Sequence, residues 1–184
     1  MNERNRGYLK IESAARAFNF DFRNKTVLDI GSSTGGFTEY ALEHGARKVI
    51  AVEKGTRQMK APLRFDSRIE LHEKTDIFDF SSSGLDVVVG DISFLSLTKV
   101  LKYVKTMTSS NTDFLVMLKP QFEASPNELT RGIVKNEHIR RDIIKRFENW
   151  LKNNDFIIIK KQDNTLSGKK GNIERFYWLK NSSA

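Results

Sequence analysis

A glycine-rich turn between an apolar strand and a helical pattern carries residues that could bind a nucleotide-like ligand. The strand contains one acid, Asp29, and the turn follows it directly. Glycine lets the backbone approach a ligand closely and adopt dihedral angles that other side chains forbid. A strand, a glycine turn and a helix in this order hold nucleotide-like ligands in α/β sheets. Together with Asp29, the candidate contacts are Gly31, Ser33, Gly35, Gly36 and Phe37.

The spacing of the turn indicates which ligand it suits. Dinucleotide sites use G-x-G-x-x-G, whereas this turn has Asp29-x-Gly31-x-Ser33-x-Gly35, and no helix start is expected directly behind it to hold a pyrophosphate. The turn therefore suits an adenosyl ligand without phosphates, such as S-adenosylmethionine. A tight turn that only joins strand and helix remains the alternative.

Two further acids are candidate contacts for an adenosyl group. Glu53 ends the next apolar strand, where a carboxylate would accept hydrogen bonds from ribose hydroxyls. Asp76 follows the third strand and could accept a bond from the adenine amino group. The other interpretation of Asp76, as a helix cap or an ordinary loop acid, stays equally open.

An acid and a lysine end two other apolar strands. Asp91 follows one of them and Lys119 ends the next. Ligands of parallel α/β sheets bind beyond the carboxyl ends of the strands, so neighbouring strands would bring Asp91 and Lys119 to the same rim as Gly31. A reversed last strand would add Glu174 to that rim. A rim salt bridge without a chemical role is the alternative for these residues.

Hydrophobic periodicity predicts the elements that position these residues. Strands alternating with helices indicate a doubly wound parallel sheet. The last two strands have no helical pattern between them, so they are predicted to be antiparallel. The predicted fold is α/β, a Rossmann-like sheet of about seven strands with a reversed last strand, as in S-adenosylmethionine-dependent methyltransferases, in a single domain over 1–184. Expected strands are 26–31, 48–53, 69–73, 85–91, 113–119, 156–160 and 175–179; expected helices are 8–19, 36–44, 56–64, 96–106 and 136–152; and 120–134 is expected to be a polar loop.

Composition narrows the class of protein. The 184 residues include no cysteine, which excludes a disulfide framework and thiolate metal sites. The three histidines, His44, His72 and His138, lie among polar residues, so no metal site is expected. No apolar run approaches the ~20 residues that span a membrane, and the first residues lack the apolar core of a signal peptide. A cytoplasmic protein without a membrane partner is predicted.

The strong basic charge favours a polyanionic partner. The net charge is +8 and the isoelectric point is about 9.7. An excess of this kind is typical of nucleic-acid binding, although solvated helix faces are the alternative, with even weight for 140–146. The basic residues form four clusters: Arg4, Arg6, Lys10 and Arg16; Lys54, Arg57, Lys60, Arg64 and Arg68; Arg131, Lys135, Arg140, Arg141, Lys145 and Arg146; and Lys160, Lys161, Lys169, Lys170 and Arg175.

Six stretches of the sequence together form a specific motif set: Arg6–Lys10, Leu28–Thr38, Asp91–Leu97, Leu118–Glu123, Arg131–Val134 and Gly171–Glu174. With them the chain resembles the FtsJ-like ribose 2′-O-methyltransferases, and most closely their hemolysin A (TlyA-type) branch. The resemblance implies S-adenosylmethionine as methyl donor and RNA, namely ribosomal RNA or ribosomal particles, as acceptor. The catalytic Lys-Asp-Lys-Glu set of that family falls on Lys10, Asp91, Lys119 and Glu174.

The resemblance also implies roles for these four residues. Lys119 would deprotonate or orient the ribose 2′-hydroxyl, and Asp91 would lie near both the cofactor and Lys119. The 2′-hydroxyl identifies RNA rather than DNA as the acceptor. Lys10 and Glu174 would support placement of the acceptor.

The chain departs from the branch at three points. Tyr8 stands where glycine is usual, and Glu53 stands where aspartate is usual. The S4-type RNA-binding domain that normally precedes the methyltransferase is absent from the sequence. Three other functions remain as alternatives: a methyltransferase with a non-RNA acceptor, a membrane-active haemolysin, and RNA binding by a fold that has lost its activity. The intact four-residue set and the absence of a spanning segment argue against them. The sequence does not specify an oligomeric state.

Overall fold

The computed structural model describes residues 4–166 and 171–182 of the chain. One seven-stranded sheet forms its centre. The strands are β1 Thr26–Ile30, β2 Lys48–Glu53, β3 Ile69–Glu73, β4 Val87–Gly90, β5 Asp113–Leu118, β6 Phe156–Asp163 and β7 Arg175–Asn181. The helices are α1 Arg6–Phe18, α2 Gly36–Glu43, α3 Leu97–Lys105, α4 Pro120–Glu123 and α5 Glu137–Asn153.

The order of the strands confirms the predicted topology. The sheet runs β3-β2-β1-β4-β5-β7-β6, and the first five strands in this order are mutually parallel. β7 is antiparallel to both of its neighbours, β5 and β6. The chain therefore reaches the edge with β6 and turns back to insert β7 beside β5. This return brings the start of β7 to the rim where the parallel strands end.

The core consists of two layers, one on each face of the sheet. Side chains alternate between the faces of a strand. In β5, Phe114, Val116 and Leu118 pack under α3 and α5, whereas Leu115 and Met117 pack under α1 and α2. The central strands are buried on both faces and therefore read as continuous apolar runs in the sequence.

The expected helix over 56–64 is wrong. Only a short 3-10 turn, Leu63–Phe65, forms in this region. Arg57 has a left-handed backbone with φ of 53°, and Pro62 lacks the N–H group that a helix interior requires. Met59 nevertheless points inward, is 1% exposed and lies next to Gly35. The segment is therefore a structured loop that covers the glycine turn, and its regularly spaced basic residues do not form a helix.

The expected loop over 120–134 is also partly wrong. Lys119 caps α4, and Pro120 occupies its first position, where the missing N–H group costs nothing. A second short 3-10 turn follows at Pro126–Glu128. Glu123 then reaches across to cap α3, accepting hydrogen bonds from the Leu97 N–H group (2.6 Å) and the Ser96 hydroxyl (2.7 Å). The segment after β5 is therefore held against the core.

None of the helices in the described part of the chain is long and apolar enough to cross a membrane.

Candidate active site

The glycine turn after β1 lies at the rim between β1 and β4. Ile30 is paired with Gly90, which places Gly31 opposite Asp91. Gly31 has φ of +72°, a backbone conformation that residues with L side chains rarely adopt. A Cβ atom placed on Gly31 would lie 3.9 Å from the nearest atoms, which belong to Asp91 and Ile92, so there is open space beside this glycine. Gly35, with φ of +91°, is required for a different reason, since a Cβ there would collide with the Leu63 side chain. Gly31 is therefore the open position of the turn.

Three of the predicted ligand contacts are not open to a ligand, which corrects the sequence analysis. Phe37 is 3% exposed and stacks with Phe176 in the core between α1, α2 and the sheet. Gly36 faces α1, where any Cβ would collide with Asn5 and Tyr8. Asp29 is fully buried and accepts a 2.6 Å hydrogen bond from the Thr38 hydroxyl. The side chains of Asp29 and Phe37 stabilise the turn and its helix, and Gly36 allows α2 to pack closely against the start of α1.

Burial raises the pKa of Asp29 to about 7, although the Thr38 hydrogen bond opposes this shift. The unfolded chain has a pKa near 3.9 for this residue. The protonated form is therefore favoured in the fold, and its contribution to the free energy of unfolding is complete below about pH 4 and is lost as the pH rises through about 7.

We expect Asp29→Asn to remove this component of the pH dependence. The amide oxygen can still accept the Thr38 hydrogen bond, and no charge has to be buried at high pH. Urea unfolding of both proteins between pH 4 and pH 8 measures the difference. Parallel stability profiles for the two proteins would contradict the assigned protonation.

The expectation that no helix starts directly behind the turn is wrong as well. Gly35 is the N-cap of α2, so the helix begins immediately. Its first residue is nevertheless covered by α1 through Asn5 and Tyr8. A phosphate could not approach this end of α2 as it does in dinucleotide sites. The packing of Asn5 and Tyr8 against the first residue of α2 is therefore what disfavours a pyrophosphate at this turn.

Glu53 is fixed beside the turn by main-chain donors. The N–H groups of Ser33 (2.8 Å) and Gly55 (2.6 Å) donate to its two carboxylate oxygens. The Gln58 amide adds a 3.2 Å bond. A carboxylate oxygen can accept more than one hydrogen bond, so Glu53 retains capacity for hydroxyl groups. The neighbouring Ser32 hydroxyl is buried and has no hydrogen-bond partner in the described part of the chain, which leaves one polar group of the turn available for a ligand.

Asp76 takes the capping role that the sequence left open and also forms an ion pair. Its side chain caps the 3-10 turn Ile77–Asp79 by accepting a bond from the Phe78 N–H group. Its other oxygen accepts a 2.8 Å bond from Lys54, which lowers the pKa of the carboxyl group. The capping interpretation is confirmed. Lys54 is largely exposed and its salt bridge is screened by solvent, so it can move aside for a ligand at low cost.

Strand register brings the other candidate residues together. Leu118 of β5 is paired with Arg175 of β7, so Lys119 and Glu174 are adjacent across the two strands. Val89, Met117 and Phe176 face the layer formed by α1 and α2. Asp91, Lys119 and Glu174 each lie two residues from one of these, on the same face. α1 crosses this face and contributes Lys10, which is why one helix residue meets three strand ends.

The four side chains form a continuous chain of ion pairs. Lys119 lies 2.6 Å from one carboxylate oxygen of Asp91, and Lys10 lies 3.3 Å from the other. Lys10 is also 2.8 Å from Glu174. Lys10, Lys119 and Glu174 are buried, whereas the Asp91 side chain is 25% exposed. Two cations and two anions balance one another, and the only partly open member is Asp91, beside Gly31.

Lys119 is held by three oxygen atoms at once. Besides Asp91 Oδ1, its ammonium group contacts the Asp91 main-chain oxygen at 3.2 Å and the Ser93 hydroxyl at 2.6 Å. The Asp91 Oδ1 contact is an ion pair without a hydrogen bond, so the other two oxygens use two of the three donors of the ammonium group. Ser93 is exposed, and its hydroxyl is therefore the contact that an incoming hydroxyl group could replace. Sequence reasoning did not single out Ser93.

Asn164 is a second residue that sequence reasoning missed. It is buried, and its amide donates to Glu174 Oε2 (3.3 Å) and to the Leu166 carbonyl (2.8 Å). Its main-chain N–H group also donates to the Glu174 carbonyl at 2.8 Å. Asn164 thus positions Glu174 from the end of β6. Nothing in the local sequence pattern distinguishes it from an ordinary turn asparagine.

An exposed aromatic pair lies next to Lys119. Phe94 is 88% exposed and has a left-handed backbone with φ of 67°. Its ring is 5.4 Å from that of Phe122, and the Lys119 ammonium group is 6.0 Å from the Phe122 ring centre. A phenylalanine side chain that is so exposed gains little hydrophobic stabilisation from folding, and the face of its ring is available for stacking.

The basic clusters are less available than the sequence indicated. Many of their cations form ion pairs with carboxylates, as Arg4 does with Glu39 and Glu43. Lys169 and Lys170 lie outside the described residues. Within the described ranges, the cluster members for which no ion pair with a carboxylate is seen are Arg57, Lys60, Arg131, Lys135, Lys145 and Lys160, the last of which donates to the Phe18 carbonyl. No group of three His, Cys, Asp or Glu side chains in these ranges could hold a metal ion.

Comparisons with known proteins agree with this arrangement. The candidate rRNA methyltransferase YqxC of Bacillus subtilis is 34% identical over 175 residues, which are 92% of this chain and 62% of YqxC. The 23S rRNA (cytidine-2′-O)-methyltransferase TlyA of Campylobacter jejuni is 32% identical over 176 residues, covering 94% of this chain and 69% of TlyA. This chain therefore spans about two thirds of the length of these relatives.

A solved structure extends the similarity to the fold. A candidate hemolysin from Streptococcus thermophilus superposes with a TM-score of 0.93 at 30% identity, covering 100% of this chain and 69% of that protein. The model of the FtsJ-like methyltransferase family matches residues 3–181, which include the glycine turn and all four members of the ion-pair chain. With this match and these relatives, the chain belongs to the FtsJ-like methyltransferase family.

Proposed function

We propose that this chain transfers a methyl group from S-adenosylmethionine to a ribose 2′-hydroxyl of RNA, with ribosomal RNA or a ribosomal particle as the acceptor. The observation that carries the proposal is the ion-pair chain of Lys10, Asp91, Lys119 and Glu174, which meets the open glycine turn at Asp91. A donor site and an acceptor site thus share one rim. The proposal includes a cytoplasmic location, where such acceptors are made.

The residues around the glycine turn fit the cofactor. Gly31 would allow close approach of the ligand, and Glu53 would accept hydrogen bonds from ribose hydroxyls. The unpartnered Ser32 hydroxyl and the exposed Ser33 add polar contacts, and Asp76 would accept a bond from the adenine once Lys54 moves. When bound, S-adenosylmethionine supplies a methyl group already activated by its sulfonium.

The chain's own task is then to position the acceptor. As the O–C bond forms, the S–C bond of the donor breaks, the thioether leaves, and the hydroxyl proton would pass to solvent beside Asp91, the partly open member of the ion-pair chain. Holding two reactants in line can contribute most of the acceleration. Lys119 orients the 2′-hydroxyl when that hydroxyl replaces Ser93 as a ligand of the ammonium group. Asp91 keeps Lys119 in place from one side, and Glu174 keeps Lys10 in place from the other. The two buried cations stabilise negative charge that develops on the acceptor oxygen.

An RNA acceptor is supported by three features of the rim. The 2′-hydroxyl is present in RNA and absent from DNA. Phe94 and Phe122 offer stacking surface next to Lys119, and bases of unpaired RNA stack on such side chains. The relatives named above carry rRNA methyltransferase names, and they are longer than this chain, so part of their RNA recognition can lie in the remaining third.

The function is tested by incubating the purified chain with total bacterial RNA and methyl-labelled S-adenosylmethionine, followed by nuclease mapping. We expect label in ribose 2′-O positions, seen as nuclease-resistant dinucleotides. A Gly31→Val variant is the control, since a branched side chain at φ of +72° fills the open position and should abolish both cofactor binding and labelling. Label on protein or on a base, or binding of S-adenosylmethionine unchanged in the variant, would overturn the assignment.

A further inference from the structure

A tight turn beside the ion-pair chain presents an arginine to solvent. Thr130 and Ile133 exchange two main-chain hydrogen bonds, of 2.9 and 3.1 Å. The two residues between them, Arg131 and Gly132, have φ values of 52° and 78°. Positive φ at both central positions is the signature of a type I′ turn, which favours asparagine, aspartate or glycine. The geometry of this turn therefore does not favour an arginine at position 131.

The turn is anchored firmly to the site. The amide of Asn172, which is buried, donates to the Gly132 carbonyl at 3.2 Å, and its side-chain oxygen accepts the Val134 N–H group at 3.0 Å. Asn172 lies two residues before Glu174, the terminal acid of the ion-pair chain. The backbone of Arg131 is therefore held at a fixed place, in a turn that is bonded to the segment leading into Glu174.

The guanidinium group of Arg131 differs from most others in the protein. Arg23, for example, is neutralised by a two-pronged pair with Asp21, and Arg146 by one with Glu128. Arg131 is exposed and makes no hydrogen bond or ion pair with any residue of the described part of the chain. A left-handed arginine costs backbone free energy, which the surrounding contacts must offset. The rim thus holds a pre-positioned cation without an internal anion.

We propose that Arg131 binds a phosphate of the acceptor RNA strand next to the methylated nucleotide. This inference rests on the function proposed above and adds the surface by which the strand is held. A guanidinium group binds phosphate oxygens in a two-pronged geometry. The turn holds its backbone in place beforehand, so less conformational entropy is lost when the strand binds. Arg131 lies outside the reacting groups and acts on binding of the strand.

The test compares Arg131→Gln with Arg23→Gln, an equal change of charge on an exposed arginine that precedes β1, at the opposite end of the sheet. The probe is a fluorescent single-stranded RNA of mixed sequence, titrated at several salt concentrations. We expect Arg131→Gln to weaken binding about ten- to a hundred-fold, the scale of one hydrogen bond to a charged group, and to reduce the salt slope by about 0.7, the single-strand value for one phosphate. Arg23→Gln should behave as the wild type does. Arg131→Lys should keep the slope and lose part of the affinity.

Methylation of total RNA by the same proteins separates this inference from the proposed function. If the wild type methylates RNA while both glutamine variants bind equally, the Arg131 contact is wrong and the function stands. If the wild type binds RNA through Arg131 but does not label ribose, the contact stands and the function is wrong. A raised KM with a nearly unchanged kcat in Arg131→Gln would support both.

Discussion

Replacing Lys119 by alanine is expected to slow methyl transfer about 10²–10³-fold, the usual effect of removing one donor that stabilises charge developing on an oxygen, while the affinity for S-adenosylmethionine stays nearly unchanged. The physical reason is the place of its ammonium group, which contacts Asp91 and the exposed Ser93 on the acceptor side of the rim. The glycine turn and Glu53 do not touch it. Single-turnover transfer to RNA, with cofactor affinity measured by calorimetry, tests the expectation.

Lys99→Ala is a suitable control for this experiment. Lys99 lies on the exposed face of α3 and has no partner in the described part of the chain, so its loss removes the same charge far from the ion-pair chain. Its transfer rate should equal that of the wild type. Near-normal single turnover by Lys119→Ala would mean that the acceptor oxygen is positioned elsewhere, and a different acceptor atom would have to be considered.

Replacing Lys10 is expected to destabilise the protein by about 3–5 kcal/mol, because Glu174 is then left buried without a cation. Replacing Glu174 should cost less, because Lys10 keeps Asp91 at 3.3 Å. Both side chains are almost completely buried and lie 2.8 Å apart. The sequence alone indicated a mild, supporting role for them. The structure shows instead that α1 is tied to the sheet edge through this pair, so their loss should lower stability as well as activity.

A double-mutant cycle measures how much Lys10 and Glu174 stabilise each other. Lys10→Met and Glu174→Gln should each lower the free energy of unfolding in urea, whereas the double variant should cost clearly less than the sum of the two. Arg16→Gln, on the same helix, breaks only an exposed pair with Glu12 and should cost about 1 kcal/mol or less. Additive effects at Lys10 and Glu174 would show that the pair contributes no mutual stabilisation.

Local patterns predicted the elements well where one periodicity dominated. The apolar run of β4 and the glycine turn after β1 appear where they were expected, and the reversed β7 followed from the lack of a helical pattern before it. The segment around Met59 was misread as a helix because its basic residues have helical spacing. The decisive features there are the left-handed backbone of Arg57 and the packing of Met59 and Leu63 over Gly35. This packing depends on contacts between residues distant in sequence.

The candidate site shows the same division. Asp29, Gly36 and Phe37 lie in the motif that predicted the cofactor site, yet the side chains of Asp29 and Phe37 are buried in the core and Gly36 packs against the start of α1. Conversely, Ser93 and Asn164 contact the ion-pair chain although the sequence did not single them out as site residues. Ser93 lies inside the motif stretch Asp91–Leu97, and Asn164 lies in none of the motif stretches. A motif identifies a stretch of backbone, and side-chain direction within it depends on what packs above each face.

The sequence by itself determined the class of fold and the glycine turn, because hydrophobic period and turn chemistry are local properties. It also placed Asp91 and Lys119 at strand ends, whereas Lys10 was indicated only by the resemblance to the FtsJ-like family. Only the tertiary structure decided that these three residues and Glu174 form one continuous ion-pair chain and that most surface arginines are neutralised while Arg131 is not. Strand register, alternation of side chains and the crossing of α1 bring together residues as far apart as 10 and 174. Those distances arise only when the sheet is assembled, since no local preference encodes which strand ends will meet.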